Sequence, residues 1–298
     1  MNIEGLHIEL TNRCYLKCPL CSRTQFLKDF KQKNWDKKDL NLLNLQKFLD
    51  INLNGMYIIL IGNYGDPIYH PKFFKFIKYF KEQNSKIVIT TNGSYKNKIW
   101  WEELVSLLTE DDVIKFAIDG TDKTFTNYRI NGDWQTIEQG LTVVGNSKVQ
   151  SVWQFIPFVF NEQDVETTKK LSEHYNIKKF DIRKSNRFDT SSVLAPVSSK
   201  YMSEKVIKRI NVKQNISVDI DPACSNKRSH YISASGFYTP CCHLAEHNFY
   251  YKSPYYQNRN DYDITKTKLS AVLDKETDFF DKFLNDKPKV CQYNCPKV

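Results

Sequence analysis

HIELTNRCYLKCPLCSRT, residues 7–24, sets a short apolar strand directly against three cysteines, Cys14, Cys18 and Cys21. The spacing is C-x₃-C-x₂-C, which gathers three thiolates on one short loop. Such a loop can hold three irons of a 4Fe–4S cluster and leave the fourth open to an outside ligand. An open metal position is what a reactive site needs; a structural zinc site is closed by four protein ligands. Zinc is the competing reading, but no fourth ligand lies close by, as paired C-x₂-C knuckles would provide.

Outward from this loop, β-rich apolar runs alternate with helical patterns. Strands are expected at 6–10, 56–62, 86–93, 113–120, 148–160 and 177–184. Helices are expected at 40–52, 70–83, 98–110, 133–146 and 162–175, with Pro71 near the start of the second. Six strands alternating with helices predict an α/β fold with a parallel sheet and right-handed crossovers. Periodicity alone does not choose between an open doubly wound sheet and a barrel. After residue 184 the pattern changes. A polar connecting segment, 185–215, carries a short helical run at 202–211. In 216–298, two strand-like runs, ISVDIDPAC (216–224) and HYISASGFYTPCC (230–242), read as a hairpin, and 265–286 reads as a helix.

At 298 residues the chain suits one large domain and a small appendage. It has no apolar run near the ~20 residues that span a bilayer, and MNIEGLHIEL is not a secretory signal. A cytoplasmic protein is expected, in which eight cysteines read as metal ligands or reactive thiols, not disulfides. The net charge of +9 permits an anionic partner but reads first as a solvated lysine surface, not a nucleic-acid surface.

The cysteine motif resembles that of the radical S-adenosylmethionine (SAM) superfamily, with Leu20 where the family usually has an apolar or aromatic residue. The resemblance implies a partial (β/α)₆ barrel over residues 1–184, with its chemistry at the carboxyl ends of the strands. It further implies that SAM chelates the open iron and is reductively cleaved to methionine and a 5′-deoxyadenosyl radical, which abstracts a substrate hydrogen. An electron donor such as flavodoxin or ferredoxin is then required. GNYGDP (62–67) resembles the family's Gly-Gly-Glu-Pro segment, with Gly65, Asp66 and Pro67 at its last three positions and Asp in place of Glu. Thr91 and Asn92, in TTNGS, match a segment that lies beside SAM in many relatives. Asp119, in FAIDG, is a candidate contact to the SAM ribose or the substrate, and also an ordinary turn residue. Arg129 and Arg183 are candidates for the SAM carboxylate or an anionic substrate. Arg183 faces either the barrel mouth or solvent. Gln154 is a further candidate polar contact.

C224-x₁₁-G236-x₄-C241 resembles the opening of the SPASM/Twitch auxiliary-cluster domain, with Cys291 and Cys295 able to complete the set. The resemblance implies a second, fully ligated 4Fe–4S cluster of the one-cluster Twitch form over residues 216–298; a Cys₄ zinc site would use the same ligands. Cys242 is the leftover thiol: an alternative ligand, a small buried residue, or a hydrogen-atom donor to a substrate radical. Two stretches face a substrate or solvent. FLKDFKQKNWDKK (26–38) interleaves lysine with aromatics and reads first as a solvated loop. HNFYYKSPYYQNRNDYD (247–263) is tyrosine-rich. The reaction implied is a dehydrogenase-like oxidation of a small molecule such as a sugar, cyclitol or nucleotide. Peptide epimerisation or cross-linking is the alternative chemistry. A non-catalytic metal-cluster binding protein is the alternative class.

Overall fold

The computed structural model describes residues 3, 5–32, 35–185, 187–188, 193–204, 219–222 and 229–297, with side chains described at all of these except 229 and 276–281. Apolar runs rich in Ile and Val form the strands, where branched side chains pack on a pleated surface. They are β1 Gly5–Ile8, β2 Tyr57–Leu60, β3 Lys86–Thr91, β4 Val113–Ala117, β5 Gln150–Phe155 and β6 Lys179–Ile182. Helices follow them: α1 Ser22–Asp29, α2 Leu42–Phe48, α3 Phe73–Glu82, α4 Lys98–Leu107, α5 Trp134–Gly145 and α6 Val165–His174. Asn41 caps α2 by accepting from the Leu43 and Asn44 N–H groups, and Asn97 caps α4 by accepting from Trp100 N–H. Beyond them lie β7 Ser229–Ile232, β8 Tyr238–Thr239, α7 His247–Tyr250, α8 Pro254–Gln257, α9 Leu269–Asn285 and α10 Lys289–Asn294.

All eight strands share one sheet in the order β6-β5-β4-β3-β2-β1-β7-β8. Every pairing is parallel except the β7–β8 hairpin. The first six strands with their crossover helices make the α/β, partial (β/α)₆ arrangement, open between its edges. One sheet face packs Ile8, Ile58, Ile89, Phe116 and Trp153 against Phe76, Phe80, Trp101 and Leu141 of the helices, all fully buried in one core. Burying each such side chain is worth about 1.5–3 kcal/mol. Alternation turns His7, Ile59, Thr90, Lys115, Ala117, Gln154 and Asp181 to the other face, where each remains half-buried. That face lines the lumen.

Several boundaries differ from the sequence expectation. The expected strand 148–160 ends at Phe155, because Ile156 N–H turns to Asp119 Oδ1 at 2.9 Å and Pro157 has no N–H for the ladder. The C-terminal hairpin forms within residues 229–239 around Gly236 (φ +82°), not between the two runs. Of the first run, Ile220 instead bridges to Pro296. Residues 22–29, half of them in the stretch read as loop, form α1. The expected helix 202–211 lies largely outside the described residues, as does Cys224. No helix among the described residues is long and apolar enough to cross a membrane.

Candidate active site

The cluster loop joins β1 to α1 and is held from three sides. Cys21 stands at the N-terminus of α1 and donates its N–H to the Cys18 carbonyl at 3.1 Å. Buried Arg23 donates to the carbonyls of Cys14 and Leu16. Arg13 clamps Asp39 at 2.6 Å, and Thr11 Oγ1 donates to the same carboxylate at 2.6 Å. Burial pushes the Cys14 thiol up to about 12, with Asp66 adding to it, so a bound metal must displace its proton. Among the described residues no three His, Cys, Asp or Glu side chains converge on a single ion. Cys21 lies near both Cys14 and Cys18, so the three thiols of this loop fit three irons of one cluster.

The ends of β2 and β3 close against this loop. Gly65 is required by close approach: a Cβ there would lie 2.0 Å from the Thr11 carbonyl oxygen. Asp66 Oδ2 accepts from Asn92 N–H at 2.7 Å, Asn92 Nδ2 at 2.5 Å and Thr91 Oγ1 at 3.1 Å, while Oδ1 accepts from Ile68 N–H at 3.3 Å. Burial pushes Asp66 up to about 6. Asn92 Nδ2 also lies 3.7 Å from Cys14 Sγ. Asp66, Thr91 and Asn92 are thus one hydrogen-bonded unit beside Cys14, with Gly65 and Pro67 flanking Asp66 along the chain.

Asp119 and Arg129 form a second unit beside Cys18. Arg129 Nη2 and Nε reach Asp119 Oδ2 at 2.7 and 2.8 Å, and Arg129 Nη1 lies 4.0 Å from Cys18 Sγ. Asp119 is fully buried, and both its oxygens are engaged, by Arg129 and by Ile156 N–H. Burial works against the Arg129 charge, but the Asp119 carboxylate outweighs it and holds the guanidinium above its usual range. Gln154 stands on the lumen face of β5, in register with Asp181. Arg183 pairs with Asp181 at 3.4 Å, its side chain 60% exposed.

Among the described residues, Cys241, Cys291 and Cys295 form a separate group. Burial, then Cys241 and Cys295 beside it, push the Cys291 thiol up to about 12, so these three are neighbours. Asp221 N–H donates to the Cys295 carbonyl at 2.8 Å, and Lys297 N–H to the Asp219 carbonyl at 2.8 Å. The chain three residues before Cys224 therefore runs alongside Cys295. Burial, then Cys241 and Glu246, push the Cys242 thiol up to about 12. Its carbonyl accepts from Asn63 Nδ2 at 2.6 Å, which ties the segment to the loop after β2.

Two residues escaped the sequence reading. Glu9, fully buried at the end of β1, accepts from Tyr64 N–H (2.8 Å), Gly65 N–H (3.2 Å), Tyr231 Oη (2.9 Å) and Ala234 N–H (3.5 Å). Burial raises its pKa. Lys115 sits half-buried on the lumen face, where burial, then Arg183, lowers its pKa. The signal was present in both cases: one charged residue inside an apolar strand, LHIEL and VIKFA.

The sequence pattern of the radical SAM superfamily matches residues 8–171, more than half the chain. The chain belongs to the radical SAM superfamily. The superfamily is one of a 4Fe–4S cluster and SAM, and the Cys14 loop fits three ligands of such a cluster. A curated relative, the tungsten-containing aldehyde ferredoxin oxidoreductase cofactor-modifying protein of Pyrococcus furiosus, is 26% identical over 117 residues, 39% of this chain. The matched stretch spans only 31% of that relative. The native anSMEcpe structure with bound AdoMet and Cp18Cys peptide superposes with a TM-score of 0.60 at 14% identity, covering 98% of this chain and 88% of that one. Streptococcus suis SuiB bound to S-adenosylmethionine gives 0.54 at 12% identity, covering 85% and 64%. At such identities these structures speak to the fold.

Proposed function

We propose that this radical SAM enzyme is of the one-cluster Twitch type and carries out a two-electron oxidation of a small molecule such as a sugar, cyclitol or nucleotide. The observation that carries the reading is the second cysteine group. Cys241, Cys291 and Cys295 are neighbours, set apart from the first loop, with residues 219–221 leading towards Cys224 alongside them. In this reading those four thiols hold an auxiliary 4Fe–4S cluster suited to taking up one electron. In this reading Cys241, beside Cys291, is the ligand, and Cys242 stays a free thiol near Glu246 and Tyr231.

Bound SAM and the first cluster would supply a 5′-deoxyadenosyl radical as the hydrogen-abstracting agent. The chain's own residues bind and orient. Arg129, fixed by Asp119, offers a buried positive charge to the SAM carboxylate. The Gly65–Pro67 and Thr91–Asn92 unit presents backbone groups beside Cys14. Gln154, Lys115, Asp181 and Arg183 form a polar lumen wall that orients the substrate, with Lys115 and Arg183 suited to an anionic substituent. Cys242 is a thiol near the mouth, able to give a hydrogen atom where the outcome is redox-neutral. A cytoplasmic setting with a flavodoxin or ferredoxin donor suits this chemistry.

Anaerobic reconstitution followed by dithionite and SAM tests the reading. Formation of 5′-deoxyadenosine that Cys14→Ala abolishes is expected, together with substrate-dependent stimulation by a small polyol or nucleotide. Cleavage in neither parent nor variant would overturn the enzyme, and stimulation by peptides alone would overturn the substrate class.

A further inference from the structure

Two segments that the radical chemistry leaves unused meet beside the β1–β7 junction. They are the stretch after the cluster loop and the tyrosine-rich stretch after Cys242. His247 Nε2 and Asp29 Oδ2, 3.0 Å apart, join them. Together they line a pocket of about 440 Å³, within the ~300–1,000 Å³ range of small-molecule sites. Its wall is a run of six rings. Trp35 and Tyr64 stand 5.4 Å apart, Tyr64 and Phe26 6.5 Å, Phe26 and Tyr251 6.3 Å, Tyr251 and Tyr256 4.9 Å, and Tyr256 and Tyr250 5.4 Å.

Rings that serve only the core of this region, Tyr231, Tyr238 and Tyr255, are 0% exposed. The six wall rings all keep open surface, and Tyr251 is 43% exposed. The charges at the pocket are accounted for with one exception. Asp36 and Lys38 neutralise each other at 2.8 Å. Glu9 is engaged by its four donors. Arg259 lies 4.6 Å over the Tyr256 ring and donates from Nη1 to the Tyr256 carbonyl at 3.1 Å. Among the described residues it has no carboxylate partner.

We propose that this pocket binds a mononucleotide, the base stacked on the ring wall and the phosphate held by Arg259. Aromatic faces accept any base, and a guanidinium presents paired donors that match a phosphate. A sugar alone would leave the arginine unused, and a free phosphate would leave the rings unused. Binding there neither needs nor tests the radical reaction.

The test is a titration of anaerobically reconstituted full-chain protein, with SAM saturating, against AMP, GMP, CMP and UMP, their nucleosides and inorganic phosphate, followed by tryptophan fluorescence. At least one mononucleotide should bind saturably and about tenfold tighter than its nucleoside. Arg259→Gln should remove that difference. Tyr256→Ala or Tyr251→Ala should weaken nucleotide and nucleoside alike by about tenfold, with iron content and substrate-free SAM cleavage unchanged. If Tyr256→Ala loses iron, the more exposed Tyr251 carries the test. Saturable binding by no mononucleotide, binding indifferent to Arg259→Gln and Tyr251→Ala, or tighter binding of an acidic aromatic dipeptide would overturn the proposal.

Discussion

At the scale of single residues, the first half of the site is held by atoms that leave little freedom. Gly65→Ala places a methyl against the Thr11 carbonyl, where only backbone movement can relieve it. A loss of about 1–3 kcal/mol is expected, seen as a lower melting temperature together with poorer iron incorporation. Asp66 carries a pH signature. Its folded-state pKa is raised from 3.8 to about 6 by burial. The unfolded state therefore gives up its proton first, so the group's contribution is fully present below about pH 4 and is lost as pH rises through about 6. At 1.36 kcal/mol per unit, the effect is about 3 kcal/mol. The stability difference between the parent and Asp66→Asn should shift by that order between pH 4 and pH 6.5 in denaturant titrations. A difference flat with pH would show that the carboxylate is not desolvated as described. The cysteine spacing made Cys14, Cys18 and Cys21 legible because ligand spacing is local. Asp119 was legible as a residue but not in its orientation: FAIDG says a carboxylate follows a strand, whereas Arg129 and the Ile156 N–H decide where it points.

At the scale of elements, strand and helix alternation could be read because each element carries its own hydrophobic period. What could not be read was where ladders stop and how closely helices approach. Strand β5 ends five residues early because one N–H finds a better acceptor and the next residue but one is proline. Helices α5 and α6 meet at their C-terminal ends so tightly that a Cβ on Gly145 would lie 1.7 Å from the Tyr175 carbonyl oxygen. Replacing glycine by alanine in a helix ordinarily gains up to about 1 kcal/mol. Here Gly145→Ala should lose about 2 kcal/mol net, because a backbone carbonyl cannot yield as a side chain does. A melting temperature at or above that of the parent would show that the two helices are free to separate.

At the scale of the whole molecule, the C-terminal part is built onto the barrel. Strand β7 extends the sheet beside β1, Glu9 ties the loop after β2 to Tyr231 and Ala234, and Asn63 and Tyr64 donate to the carbonyls of Cys242 and Ala245. Deleting residues 291–298 removes Cys291, Cys295 and the pairing of 219–221 with 295–297. The truncated chain should fall from about eight irons to about four while still cleaving SAM, measured by iron assay and 5′-deoxyadenosine release. An unchanged iron count would remove the auxiliary-cluster assignment.

The amino-acid sequence by itself determined the three-thiol loop, the order of strands and helices, and the set of cysteines left for a second centre. Each of these depends on neighbours a few residues apart. Only the tertiary structure decided that Cys241 lies beside Cys291, that Glu9 and Lys115 turn inward, and that Phe26, Trp35, Tyr251 and Arg259 share one pocket. Those outcomes depend on which distant surfaces exclude water from one another, and no local pattern encodes that.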